Sequence, residues 1–151
     1  MSFDYTTLIT DRSETDVGSD ELRGSYDFRA LNRVSAAMED LDKRFAALGY
    51  ETGYVPVMIS HLDGTTSTVW MENEEDIRYS QIEAYRANVA ALHNVLTLAE
   101  ITPQTPADME LLTWAEANDI EQILLNIDET LHRMATTFVT CGPATCGGDY
   151  L

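Results

Sequence analysis

From Ala117 to Met134 the apolar or small positions fall at Ala117, Ile120, Leu124, Ile127, Leu131 and Met134, in steps of 3, 4, 3, 4 and 3. Such steps bring all six side chains to one narrow helical seam, which a partner helix must cover. Just ahead of the seam, Thr113 and Glu116 have the capping-box spacing that satisfies backbone N–H groups left over at a helix start. An earlier stretch repeats the pattern, with Asp27 as N-cap, then Phe28, Leu31, Val34, Met38, Leu41, Phe45 and Leu48, and Gly49 as a left-handed stop. Off that seam, Asp40, Asp42, Lys43 and Arg44 are expected in water. A third helix is predicted to begin near Ser80, where Ser80 and Glu83 repeat the capping-box spacing. It carries Ile82, Tyr85, Val89, Leu92, Leu96 and Ala99, and Pro103 and Pro106 stop it.

Between the first two helices the period changes. Val55, Val57 and Ile59 alternate, Asp63-Gly64 signals a turn, and Thr66, Thr68 and Trp70 alternate after it. This predicts a β-hairpin or pair of short strands over residues 54–71. An isolated hairpin is marginal, so it must lean on the bundle or on another chain. The fold class expected is mainly α: a three-helix bundle with an inserted β-hairpin and extended terminal arms. Residues 1–25 form an acidic N-terminal arm, 26–137 the bundle with its hairpin, and 138–151 a Gly- and Cys-containing tail, with short strand pairing around Phe138 to Thr140.

Composition narrows what such a bundle can do. The 151 residues suit one domain with a real core, and 44% hydrophobic content excludes wholesale disorder. No apolar run is long enough to span a membrane. The opening MSFDYTTLITDRSETD lacks the basic and apolar regions of a signal peptide, so synthesis in a cytoplasm is expected. The net charge of −17, from 26 acidic and 9 basic residues, should keep the chain soluble and repel nucleic acids and anionic membranes. The same charge admits a second reading, an acidic mimic of nucleic-acid phosphates that blocks a DNA-binding protein.

Chemistry is sparse. Glu129-x-x-His132 has the spacing of di-iron carboxylate ligands, but the seam places both residues on the solvent side and the chain has no second such pair. His61 lies beside the hairpin turn and His93 at the edge of a seam, with no spacing that unites the three histidines. Nucleophile-elbow, Walker A, dinucleotide-binding and H-E-x-x-H patterns are absent from the sequence. No catalytic residue, cofactor or metal is expected. Cys141 and Cys146 either remain free thiols in a reducing cytoplasm or, in a released particle, close a short disulfide that would contribute about 2 kcal/mol.

Tyr85 and Trp114 read as core aromatics. Tyr50, Trp70 and Tyr79 are less clearly buried and suit an interface better. The two arms and the hairpin cannot form cores of their own, yet carry Phe3, Tyr5, Tyr54, Trp70, Phe138 and Tyr150. These six are the candidate interface residues, because aromatic side chains supply contact area with a polar tip.

Three segments then form a recognisable series. Leu31-Asn32-Arg33-Val34 follows a tyrosine-containing lead-in. Gln81, Glu83, Tyr85, Asn88 and Val89 punctuate the middle helix, and Leu112-Thr113, Ala117-Asn118 and Ile120-Glu121 open the last one. In that order they resemble a small tail-associated structural module of phages and prophages of Gram-positive gut bacteria. Thr10 to Val17, TDRSETDV, is similar to the opening of longer members. The likeness spans a little under half of the chain. It departs from the pattern in a short stretch before Ser25 and in the cysteine-containing end. The resemblance implies a non-enzymatic virion component of the tail, baseplate or fibre, made in the host cytoplasm. Its partners would be other virion proteins and copies of itself, with no direct contact to nucleic acid or membrane.

Overall fold

The expected cap at Thr113 closes reciprocally in the computed structural model: the Thr113 N–H donates to Glu116 Oε2 at 2.9 Å, and the Glu116 N–H to Thr113 Oγ1 at 3.2 Å. The structure describes residues 2–18, 27–72, 79–96, 102–107, 109 and 112–140. In chain order it has a 3-10 turn Tyr5–Thr7, α1 Glu14–Gly18, α2 Phe28–Ala47, β1 Ile59–Ser60, β2 Thr66–Ser67, α3 Tyr79–His93 and α4 Trp114–Thr140. The three long helices each pack against the other two, so the molecule is a mainly α bundle with an inserted antiparallel hairpin. Among the described residues no helix is long and apolar enough to cross a membrane.

The seams lie where their spacing put them. On α4, Ala117, Ile120, Leu124, Ile127 and Leu131 are buried and Met134 packs partly against the core. The covered face is broader than the seam, because α4 meets two helices: Ile123 and Glu121 are also fully buried. On α2, Leu31, Val34, Met38, Leu41 and Phe45 are buried, and the Asp27 side chain caps the Arg29 N–H at 2.9 Å. This helix stops as a Schellman motif. The Gly49 N–H donates to Ala46 O and the Tyr50 N–H to Phe45 O, both at 3.0 Å, with Gly49 at φ +87° and the Tyr50 ring edge-on to Phe45. Leu48 is then the C-cap and is exposed, not on the buried seam.

Three further expectations need correcting. The middle helix is shorter than its pattern, ending at His93, with Leu96 packed from a turn; Ala99 lies outside the described residues. Residues 138–140 are not a strand but the last turn of α4, since nothing before Gly142-Pro143 breaks the helix. Trp114, on the first turn of α4, is 41% exposed and not a core residue.

The hairpin ladder is minimal, pairing Ile59 with Ser67 and Ser60 with Thr66. Pro56 has no N–H to donate, so the leg before Ile59 is extended without laddering. At the tip, Asp63 Oδ1 accepts the Thr65 N–H at 2.9 Å and Gly64 takes φ +85°.

Leu124 is fully buried in the central seam. Leu124→Ala should lower unfolding stability by about 2–5 kcal/mol, read by thermal melting or denaturant titration. Leu124→Asp should prevent folding, because an unpaired buried charge costs as much as a small domain's whole stability. A melting curve unmoved by either substitution would show the seam to be misplaced.

Candidate functional site

Glu121 is the one carboxylate that α4 points wholly inward, and it gathers three partners from elsewhere in the chain. Its Oε1 accepts Arg12 Nη2 at 2.5 Å and Arg33 Nη2 at 2.8 Å. Its Oε2 accepts Arg33 Nε at 3.1 Å and the Ile9 backbone N–H at 2.7 Å. The Arg12 and Glu121 side chains are both completely buried, while Arg33 is 19% exposed. Charge-assisted bonds of this kind offset the desolvation of the buried ions only when all the groups stay paired. Arg33 comes from α2, Arg12 and Ile9 from the N-terminal arm. One carboxylate thus fastens the arm, α2 and α4 together.

Beside it, a side-chain amide does related work. The Arg12 N–H donates to Asn118 Oδ1 and Asn118 Nδ2 donates to Arg12 O, both at 2.9 Å. The same device recurs once on each of the other long helices. On α2, Asn32 exchanges two bonds of 2.8 Å with the N–H and C=O of Trp70. On α3, Asn88 accepts the Val55 N–H at 3.0 Å and donates to Val55 O at 2.8 Å. Each amide stands in for the neighbouring strand that an extended residue lacks, so that partly buried backbone groups are not left unpaired. The three clamps hold the arm at Arg12 and the two legs of the hairpin at Val55 and Trp70.

The arm is therefore part of the bundle's own packing. Tyr5 Oη donates to Asp40 Oδ2 at 2.7 Å, the Phe3 N–H donates to Asp40 Oδ1 at 3.3 Å, and the Phe3 and Tyr5 rings meet edge to face at 5.0 Å. Arg44 lies 5.6 Å over the Tyr5 ring and pairs with Asp128 at 2.6 Å. Asp40 and Arg44 are thus partly covered instead of fully solvated, because the arm lies over them. Burial first, and then the Asp40 carboxylate, push the Tyr5 phenol well above its ordinary 10.0.

The candidate interface aromatics are distributed differently from the sequence expectation. Phe3, Tyr5 and Tyr54 are partly buried against the core, and Trp70, at 3% exposure, belongs to it. Trp70 is turned inward because Asn32 fixes its backbone over α2. Its Nε1 is the one buried side-chain N or O among the described residues without a hydrogen-bond partner. Phe138 is helical in α4, while Tyr150, Cys141 and Cys146 lie outside the described residues.

The large apolar side chains that the hairpin leaves exposed are aliphatic and thioether. Val55 is 67% exposed, Met58 56%, Leu62 77%, Val69 50% and Met71 53%. Two shallow depressions flank the leg at residues 53–58. One of about 320 Å³ lies toward α2, between Ser35, Glu39, Tyr54 and Thr68. The other, about 380 Å³, lies toward α3, between Val55, Met58, Ala84 and Ala87. The sequence contained these apolar residues, but its alternation could not say which set faced water.

The titratable candidates stay apart. Glu129 and His132 are exposed on α4, where the seam placed them. His61 meets Ser67 Oγ at 2.6 Å and His93 meets Thr105 Oγ1 at 3.2 Å, burial lowering the His93 pKa. Among the described residues no group of three His, Cys, Asp or Glu side chains converges as a metal site. No family model, curated protein or solved structure matches the chain. The site that the geometry offers is the exposed apolar surface of the hairpin, held in place by the two clamps.

Two outcomes follow for the arm. Glu121→Gln, which leaves two arginines facing an uncharged amide, should cost about 3–5 kcal/mol and make the arm cleavable by protease under native conditions. Unchanged melting and protection would mean that the arm is held some other way. For Tyr5, a raised folded pKa means that its contribution is fully present below the unfolded value near 10.0 and is lost as pH rises beyond it. Wild type should lose stability above that pH more steeply than Tyr5→Phe, as read by chemical denaturation across the alkaline range.

Proposed function

We propose that this chain is a non-enzymatic structural component of a bacteriophage virion, belonging to its tail, baseplate or fibre. In this reading it is made in the host cytoplasm and joins other virion proteins and copies of itself. It binds no cofactor, nucleic acid or membrane, and its hairpin and terminal segments make the contacts. The observation that carries the assembly reading is the hairpin: five apolar side chains on Val55–Met71 are at least half exposed, on a scaffold whose own seams are covered. Exposed apolar groups concentrated on one element are a usual feature of protein–protein contact sites. The virion assignment rests on the resemblance of the Leu31–Val34, Gln81–Val89 and Leu112–Glu121 segments to tail-associated modules.

The test is particle composition. Host-derived particles should contain the chain in a fixed ratio to other tail proteins, by mass spectrometry and labelled electron microscopy. A Met58→Ser, Leu62→Ser double variant should fold normally, since both side chains are exposed, and should be lost from particles. A chain absent from particles, but recovered from lysate with a basic nucleic-acid enzyme in a salt-labile complex, would favour the phosphate-mimic reading instead.

A further inference from the structure

The charge that surrounds the hairpin face says what kind of surface can cover it. Every described lysine and arginine side chain lies within 4.0 Å of a carboxylate of the same chain. Arg12 and Arg33 are held at the buried Glu121, and Arg44 is shared between Asp40 and Asp128. The described cations are thus engaged within the chain, whose net charge is −17. Around the face the imbalance is local. Apart from His61 and the phenol of Tyr54, residues 54–71 contain one ionisable side chain, the acidic Asp63, whose pKa is lowered by its bonds to Thr65. The hairpin is entered past Glu51 and left at Glu72, both exposed, while Glu39 in the depression beside α2 is paired with Lys43 at 2.9 Å.

The exposed apolar side chains of the hairpin are therefore flanked by acidic groups in excess, the nearby Lys43 being paired with Glu39. A second copy presenting the same face would set acidic groups against acidic groups, and like charges at an interface rim oppose association. An anionic membrane or nucleic acid would meet the same repulsion. The complementary surface is apolar at its centre and lined with lysine or arginine.

Resting on the assembly reading above, we propose that the exposed apolar side chains of the hairpin, Val55, Met58, Leu62, Val69 and Met71, dock a basic, apolar-centred protein surface and not another copy of this chain. Self-contacts then belong to other parts of the molecule. The two exposed methionines suit such a role, because an unbranched thioether adapts to an irregular partner.

The experiment uses the full-length chain and three labelled peptides of equal length. The first alternates leucine and lysine in an amphipathic helical pattern, the second replaces each lysine by glutamate, and the third replaces each leucine by serine. The leucine–lysine peptide should bind, and the leucine–glutamate peptide should not. Raising salt from low to moderate ionic strength should weaken binding about tenfold. The Met58→Ser, Leu62→Ser variant, shown to melt like wild type, should also lose about tenfold in affinity, since two apolar contacts are removed. Sedimentation of the chain alone should show no association that this variant abolishes. The proposal is overturned if the leucine–lysine peptide fails to bind. It is equally overturned if the serine–lysine peptide binds as well as the leucine–lysine one, if the hairpin variant binds unchanged, or if the chain self-associates through this face. Failure here is distinguishable from failure of the assembly reading, which is decided by particle composition. A chain that enters particles through its hairpin yet ignores the basic peptide retains the reading and loses the partner chemistry.

Discussion

A carboxylate that is fully inside a helical bundle must be paired, and Glu121 is paired three times over. Because two of its partners come from the arm, the arm's place is fixed by the same constraint that makes the interior tolerable. Buried ion clusters of this type contribute modestly to net stability, since desolvation offsets much of the attraction. Their effect on specificity is larger. Any packing that moves Arg12 or Arg33 away leaves uncompensated charge in the core, so alternative placements of α2 against α4 are penalised. The aliphatic seams supply most of the burial, and Glu121 selects one arrangement of what is buried.

The three asparagine clamps extend the same logic to segments with little secondary structure of their own. A two-residue ladder cannot hold a hairpin in water. Here Asn32 and Asn88 each take both backbone groups of one residue, giving the legs the pairing that a longer sheet would have given. Ile59 and Trp70 enter the core, and Met58, Leu62 and Val69 are left outside.

What was legible in the sequence was what is decided locally. The Asp27 cap, the Thr113–Glu116 box and the Gly49 stop each involve residues a few positions apart, and the seams are read by period alone. Glu121 was not legible as a core residue, because a carboxylate beside Ile120 reads as solvated until Arg12, more than a hundred residues earlier, is known to reach it. Asn32, Asn88 and Asn118 were visible only as letters of a resemblance, since their common task depends on backbone groups that only the fold brings near them. Hairpin polarity failed for a related reason. Aromatic residues were expected to face outward as interface area, whereas in this chain they are the larger groups available to close the space between α2 and the hairpin legs.

That inversion bears on function. With Tyr54, Val57, Ile59 and Trp70 already packed against the helices, the outward positions of the hairpin are free of any demand from folding. Polar residues there would cost the bundle nothing and would suit the acidic surface on either side. The chain nevertheless places valine, leucine and methionine at those positions, while Thr66 and Thr68 show that polar residues fit the same hairpin. Exposed apolar area on a strand-like edge carries a risk of aggregation, which flanking acidic groups restrain between identical copies. Exposed apolar groups flanked by acidic ones, on a hairpin clamped to the bundle, combine attraction for a different surface with reluctance to self-associate.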